Sequence, residues 1–517
     1  MSQSAGAVDT RTAPQYLPHR QILIVLGGLM AGMFLAALDQ SIVGTALPSI
    51  TSDLGGLDHL SWVVTAYLLT STASTPLWGK ISDLYGRRPV FQAAILTFLV
   101  GSVLSGFSQD ITQLIGFRAL QGLGGGGLFA LALATIGDVI PPRERGRYQG
   151  WFAAVFGTSS VLGPVLGGWL ADGPGWRWIF WINLPIGAVA LVVTSAALRL
   201  HHVRRDHRID YLGAAVIVSA VSAILLYTAW AGGAYGWASP AALGLLAVGL
   251  LLSAVFVLVE QRASEPIIPM ELFANRVFST SNAFGFVVGM AMFGSLVFTP
   301  LYLQIVQGMS PTESGLGLLP MVIGIFSTSI TAGRAASRTG RYRVFPILGS
   351  ATMLVGVLLL SRLGVDTPYW QVAIALYVLG AGLGGTMQII VTAVQNSVDR
   401  SHMGTATSAV TFFRTMGGAF GTALFGAVLG IRLTHHLAGL GGAARGVGAE
   451  GNELAALRAL PAGVRRDVIG AYADALSDVF LTAVPVVMIA VVLAFLIPEV
   501  RLRSREDATT TSANAQV

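Results

Sequence analysis

GKISDLYGR, residues 79–87, returns in altered form as GRAASRTGR at residues 333–341. Both copies keep a glycine, a cation and then Gly-Arg at the same spacing. Each copy follows the second long apolar run in a set of six. Runs one to six and nine to fourteen therefore read as two related halves, with runs seven and eight as an inserted hairpin. Ser337 stands in the second copy where the first has Asp83, so the halves are not equivalent.

Composition agrees. Of 517 residues 54% are hydrophobic and only 11% charged, and the mean hydropathy is +0.70. A soluble domain carries about 25% charge, so this chain has too little to wet a conventional surface. Many runs reach the ~20 apolar residues that span a hydrocarbon core as a helix. The 63 glycines suit close helix packing in a bilayer. The net charge of +6 sits in short connectors rather than in a stripe, which excludes a nucleic-acid footprint. The absence of cysteine excludes disulfides and thiolate metal sites.

The expected fold class is an all-α polytopic membrane protein of about fourteen spans. Its parts are an N-tail, 1–21; an N-terminal six-helix bundle, 22–200; the hairpin, 201–262; a C-terminal six-helix bundle, 263–499; and a C-tail, 500–517. Lys and Arg concentrate in the even-to-odd connectors, among them PPRERGRYQG and RLHHVRRDHRID. The positive-inside rule then places both termini in the cytoplasm. One long external loop is expected at 431–479, as a cap or a tolerated insertion.

Several residues carry possible chemistry. In GKISDLYGRRP, Gly79 and Gly86 permit tight turns while Lys80, Asp83, Arg87 and Arg88 form a charge latch between bundles. In GTSSVLGPVLGGWL of the fifth span, Gly163, Gly167 and Gly168 admit a close neighbour and Pro164 permits a bend. Asp39 lies late in the first span (22–44), where an ionised carboxylate costs about 2.5–3.5 kcal/mol at the bilayer centre. Such an acid either rests permanently beside a cation or loads and unloads a proton. Arg118 in the fourth span lies at comparable depth, as a partner for Asp39 or a donor to backbone carbonyls. Arg414 in the thirteenth span attracts an anionic group or fixes helix packing. The aromatic Tyr67, Phe293 and Tyr302 are candidate cavity walls. No GxxxxGK[ST] loop is present, GLGGGG falls inside an apolar run, and the histidines lack zincin spacing. An enzyme, a nucleotide-driven pump and a metal or other cofactor are therefore not expected.

Five stretches then carry a resemblance: LDQSIVGTALP (38–48), GKISDLYGRRP (79–89), RALQG (118–122), GPVLGGWL (163–170) and WRWIFWINLPIG (176–187). With LYLQIVQGMSP and RTMGGAFGTALFG, the chain resembles the fourteen-helix drug:proton antiporter branch of the major facilitator superfamily. The resemblance implies proton-coupled export of lipophilic small molecules across the cytoplasmic membrane by alternating access. Protons and the bilayer are its implied partners, nucleic acid and nucleotides are not, and a monomer is expected. It makes Asp39 a protonation site, ties Arg118 to proton transfer, and makes the fifth-span glycines and Pro164 an antiporter motif. Members of the family that export dications often carry further acids in later spans. None is found here at membrane depth, which favours neutral, zwitterionic or monovalent compounds. A lipid translocase and a proton-coupled uptake permease are the alternatives on the same scaffold.

Overall fold

The computed structural model describes residues 19–54, 60–145, 148–198, 210–231, 236–237, 239–438 and 461–502. Among these the regular structure is helical throughout. The first half holds α1 (His19–Leu54), α2 (Leu60–Tyr85), α3 (Arg87–Gly106), α4 (Ile111–Val139), α5 (Gln149–Asp172) and α6 (Asn183–Ala197). The hairpin is α7 (Tyr211–Ala231) and α8 (Pro240–Glu260). The second half holds α9 (Arg276–Ile305), α10 (Leu319–Thr339), α11 (Val344–Leu360), α12 (Tyr369–Ser397), α13 (Met403–Ala438) and α14 (Ala462–Leu496). Eleven helices are long and apolar enough to cross a membrane, among the described residues. Helices α2, α5 and α11 fall outside that set.

Local signals start and stop these helices. The Asp110 carboxylate accepts the Gln113 N–H at 2.8 Å and caps α4. Ser239 caps α8 with Pro240 in the first turn, and Asn275 caps α9 through the N–H groups of Val277 and Phe278. Gly86 and Gly340 hold φ of 92° and 71°, a left-handed backbone that favours glycine. They occupy the same place in the two copies of the repeat and share a positive φ, although ψ is 153° at Gly86 and 7° at Gly340.

Packing repeats too. In the first half α2 and α3 pack on α4, and α5 and α6 on α1; in the second α10 and α11 pack on α12, and α13 and α14 on α9. The glycines explain the closeness. Gly122 and Gly126 of α4 face the α2 backbone at Tyr67 and Ser71, while Gly124 faces α3 at Phe98. Gly380 and Gly384 of α12 face α10 at Met321 and Ile325, and Gly382 faces α11 at Met353. GLGGGG is therefore a packing surface, with no Cβ to hold the backbones apart.

The halves meet where α2 and α4 touch α13, and where α5 touches α10. Helix α7 packs on α2 and α13, while α8 packs on α7 and leaves Leu250 and Leu251 58% and 65% exposed. An apolar outer face of that kind suits lipid. We call the end of the bundle where α1 begins and α14 finishes the near end, and the opposite one the far end.

The region expected as the external loop 431–479 differs from that expectation. Helix α13 continues to Ala438 and α14 already begins at Ala462; residues 439–460 lie outside the described set. The first turns of α14 are amphipathic: Val468, Tyr472, Ala475 and Val479 are buried at helical spacing, while Arg465 and Arg466 are exposed. Asp478 of α14 joins His436 of α13 at 3.2 Å and Arg432 at 3.6 Å. The N-tail before His19, the connector 199–209 and the C-tail beyond Leu502 also lie outside the described residues.

Candidate functional site

Asp39 on α1 is fully buried, and so, within 1%, is Arg118 on α4. Arg118 Nη1 donates to Asp39 Oδ2 at 2.6 Å and to Gln121 Oε1 at 2.7 Å. Gln121 Nε2 donates to Asp39 Oδ1 at 2.8 Å, and Asn183 Nδ2 reaches the same oxygen at 3.3 Å. Arg118 Nε also donates to the carbonyl of Val63 at 3.3 Å. Its guanidinium lies 4.3 Å from the ring centre of Tyr67. Both readings of Arg118 are thus realised in one side chain, which binds the carboxylate and a backbone carbonyl together.

Hydrogen bonds to a charged group contribute about 1.5–3 kcal/mol each. The two short ones at Asp39 are enough to offset its insertion cost. Gln121 stands three residues after Arg118, and that spacing puts both on one helix face. Asn183 is the polar break in WINLPIG, held by a further bond to Ser102 Oγ at 2.9 Å. Sequence reasoning assigned neither residue, although both signals were available to it.

A cavity of about 340 Å³ opens beside this cluster, walled by both halves. Gln40 and Ser41 bring α1 to it, Phe293 and Leu296 bring α9, and Met387 and Gln388 bring α12. Its walls are mainly apolar, with a few amide and hydroxyl groups. Ser41 Oγ donates to the Ser159 carbonyl of α5 at 2.9 Å. Gly163 makes this approach possible, since a Cβ there would stand 3.0 Å from the Ser41 backbone carbon. Gly167 is buried and Gly168 half-buried on the same helix, which also carries Pro164. Among the candidate aromatic walls Phe293 lines the cavity. Tyr67 stacks on Arg118 instead, and Tyr302 donates to the Gly364 carbonyl at 2.9 Å. Arg414 is buried on α13, its backbone packed against Gly289 of α9.

At the near end Gly79, Asp83 and Arg87 of the latch meet the start of α13. Asp83 Oδ1 pairs with Arg87 at 2.7 Å and accepts the Gly404 N–H at 2.9 Å. Asp83 Oδ2 accepts the Thr405 N–H at 2.8 Å and its hydroxyl at 3.0 Å. A carboxylate at exposed N–H groups of a helix start gains from the helix dipole as well. Arg87 Nε reaches Asp138 at 2.6 Å, and Lys80 reaches Glu265 at 2.8 Å. Gly79 lies against Gly404 and Ser408 with no room for a Cβ. Arg88 is half-buried and forms no ion pair with a described residue. A second tie escaped sequence reasoning: Arg145 donates to Gln395 Oε1 of α12 at 2.8 Å, and Gln395 returns to the Leu133 carbonyl at 3.0 Å. Just after the second copy of the repeat, Tyr342 binds Pro498 and Glu499 beyond α14, and Arg343 donates to the Phe495 carbonyl in the last turn of α14.

At the far end Asp53 accepts from Arg177 at 2.6 Å and from the Trp176 indole at 3.0 Å. The Arg177 bond first, and the Trp176 bond second, hold this carboxyl below its ordinary range.

Residues 29–422 match the family described as the Major Facilitator Superfamily. An uncharacterised MFS-type transporter of Mycobacterium tuberculosis is 44% identical over 94% of this chain and 70% of its own length. Multidrug resistance protein 3 of Bacillus subtilis is 34% identical over 95% of this chain and 97% of its own. The solved structure of the human organic anion transporter MFSD10 is similar in fold, with a TM-score of 0.61 at 16% identity. It covers 92% of this chain and 100% of that one. The repeated packing, the interior cavity and the sequence match lead to one assignment: this multi-pass membrane protein is a transporter, and it belongs to the Major Facilitator Superfamily.

Proposed function

We propose that the protein is a proton-coupled exporter of lipophilic drugs in the fourteen-helix antiporter branch, acting across the cytoplasmic membrane with both termini inside. The observation that carries this reading is the buried Asp39–Arg118 pair, with Asp39 directly followed in the chain by Gln40 and Ser41 of an apolar cavity. The multidrug resistance name of a relative that matches along nearly its whole length supports the substrate class.

The chemistry follows from the geometry. Protonating Asp39 removes the counter-ion of a buried guanidinium, which weakens the charge-assisted bond between α1 and α4. Helix α1 carries that change to the cavity through Gln40, and to α5 through Ser41. Substrate and proton then favour different arrangements of the same helix, which is the requirement for exchange. The near end is the cytoplasmic gate in this reading, closed by Asp83 on α13 and by Arg145 on Gln395. The polar groups in the cavity wall fix orientation, and the apolar remainder accepts varied shapes.

The test is transport in proteoliposomes under an imposed pH gradient, with a panel of lipophilic compounds and a labelled lipid. Compound movement against the proton flow, abolished by a protonophore, is the expected result. Movement of the labelled lipid alone would make the protein a lipid translocase, and movement with the proton flow an uptake permease.

A further inference from the structure

The base of the α7–α8 hairpin holds two carboxyl groups that the exchange cycle does not use. Glu260, the last residue of α8, is 3% exposed. Its Oε2 accepts the Ile268 N–H at 3.1 Å, and its Oε1 has no hydrogen-bond partner. Asp210, just before α7, accepts the Gly213 N–H at 2.8 Å through Oδ1, and its Oδ2 is buried and likewise without a partner. The two unsatisfied oxygens both stand beside Gly213. A single carbon added at Gly213 would touch both, standing 2.7 Å from Glu260 Oε1.

Two buried, undonated carboxylate oxygens are an arrangement that needs something between them. A buried acceptor left unsatisfied costs about 1–3 kcal/mol, more when charged. Two carboxyl groups beside one glycine cannot both ionise cheaply. The facing charges offer little relief. Among the described residues, Lys80 on α2 is a cation whose field reaches Glu260, and it is already bound to Glu265. Helix α13 meets this cluster with apolar side chains, among them Phe412, Phe413, Met416 and Phe420, beside Ile217, Ile267 and Ile268.

The geometry points to a second protonation site, in which Glu260 and Asp210 hold one proton between them and fasten the hairpin to the near-end latch. The bound proton lets one carboxyl donate to the other, satisfying both orphan oxygens. Loss of it leaves two negative charges beside Lys80, which then compete with Glu265 for the cation and loosen the connector 261–270 from α2. This site shares no residue with the Asp39 cluster, and its existence does not depend on what the protein carries.

The signs are definite. The native pair binds a proton that the unfolded chain releases in the ordinary carboxylate range, so its contribution is complete at low pH and is lost as pH rises through the pair's own titration. The test uses the full-length protein in detergent, by infrared spectroscopy and thermal unfolding across pH, in choline buffer with and without sodium or magnesium. The expected result is a protonated-carboxyl stretch that persists above the ordinary carboxylate range and is lost in both Glu260→Gln and Asp210→Asn. Glu260→Gln should keep its melting temperature and lose the alkaline fall seen in the wild type. Gly213→Ala, which inserts a carbon into the gap, should shift the band. Identical carboxyl spectra in wild type and Glu260→Gln would overturn the proposal. So would a metal-dependent rise in melting temperature that Glu260→Gln abolishes, which would make this a cation site.

Discussion

Asp39 is held by three donors from α4 and α6, and two of them, Arg118 and Asn183, make separable predictions. Replacing Arg118 by leucine leaves a buried carboxylate with only amide donors, a change that costs about 3–5 kcal/mol when one partner of a buried pair is removed. Thermal unfolding of Arg118→Leu in detergent should show that loss, and Arg118→Leu combined with Asp39→Asn should recover much of it. Asn183→Ala removes the longest of the three bonds and should cost under about 1.5 kcal/mol. At this scale the sequence was readable in part. Asp39 and Arg118 stood out because charge is rare in an apolar run, but their contact was not legible, since nothing in the spacing says which faces of α1 and α4 meet. Tyr302 and Phe293 looked alike as aromatic residues in one run; only the packed helices separate a cavity wall from an anchor at Gly364.

At the scale of elements the glycines and caps dominate. Gly163→Leu should block the approach of α1 to α5 while leaving both helices intact, because the added carbons meet the Ser41 side chain and, behind it, its backbone. Transport should be lost with expression retained, which a parallel measurement of export and membrane protein level would show. Asp83→Ala removes a helix cap on α13 and the partner of Arg87 together. Loss of the cap alone costs about 1 kcal/mol; the larger effect should be exposure of the near end, read as labelling of a cysteine placed at Thr405. The far end responds to acid. Asp53 is held below the ordinary carboxylate range by Arg177, so this tie is complete above that range and is lost as pH falls through the lowered value. Labelling of a cysteine at Trp176 should therefore rise on acidification and be independent of pH in Asp53→Asn. The glycine-rich frames were visible in the sequence, yet their direction was not. Gly122 and Gly380 take equivalent roles only because α4 and α12 sit between equivalent neighbours.

For the whole molecule the two-halves-plus-hairpin plan was legible from one short repeat and its position among the apolar runs. The repeat also concealed something. The first copy reaches across to α13, whereas Gly340 of the second accepts the Leu502 N–H from the segment after α14, within its own half. Ser337 in place of Asp83 was the sequence trace of that difference. The expected loop 431–479 is shorter among the described residues, because α13 runs to Ala438 and α14 begins at Ala462, its first turns amphipathic and so weak in hydropathy. The central claim remains that export is coupled to a proton at Asp39, next to the cavity. Substrate-induced proton release from energised everted vesicles tests it directly, with wild type and Asp39→Asn side by side at equal protein level. The account predicts release by the wild type and none by Asp39→Asn; equal release by the two would contradict it.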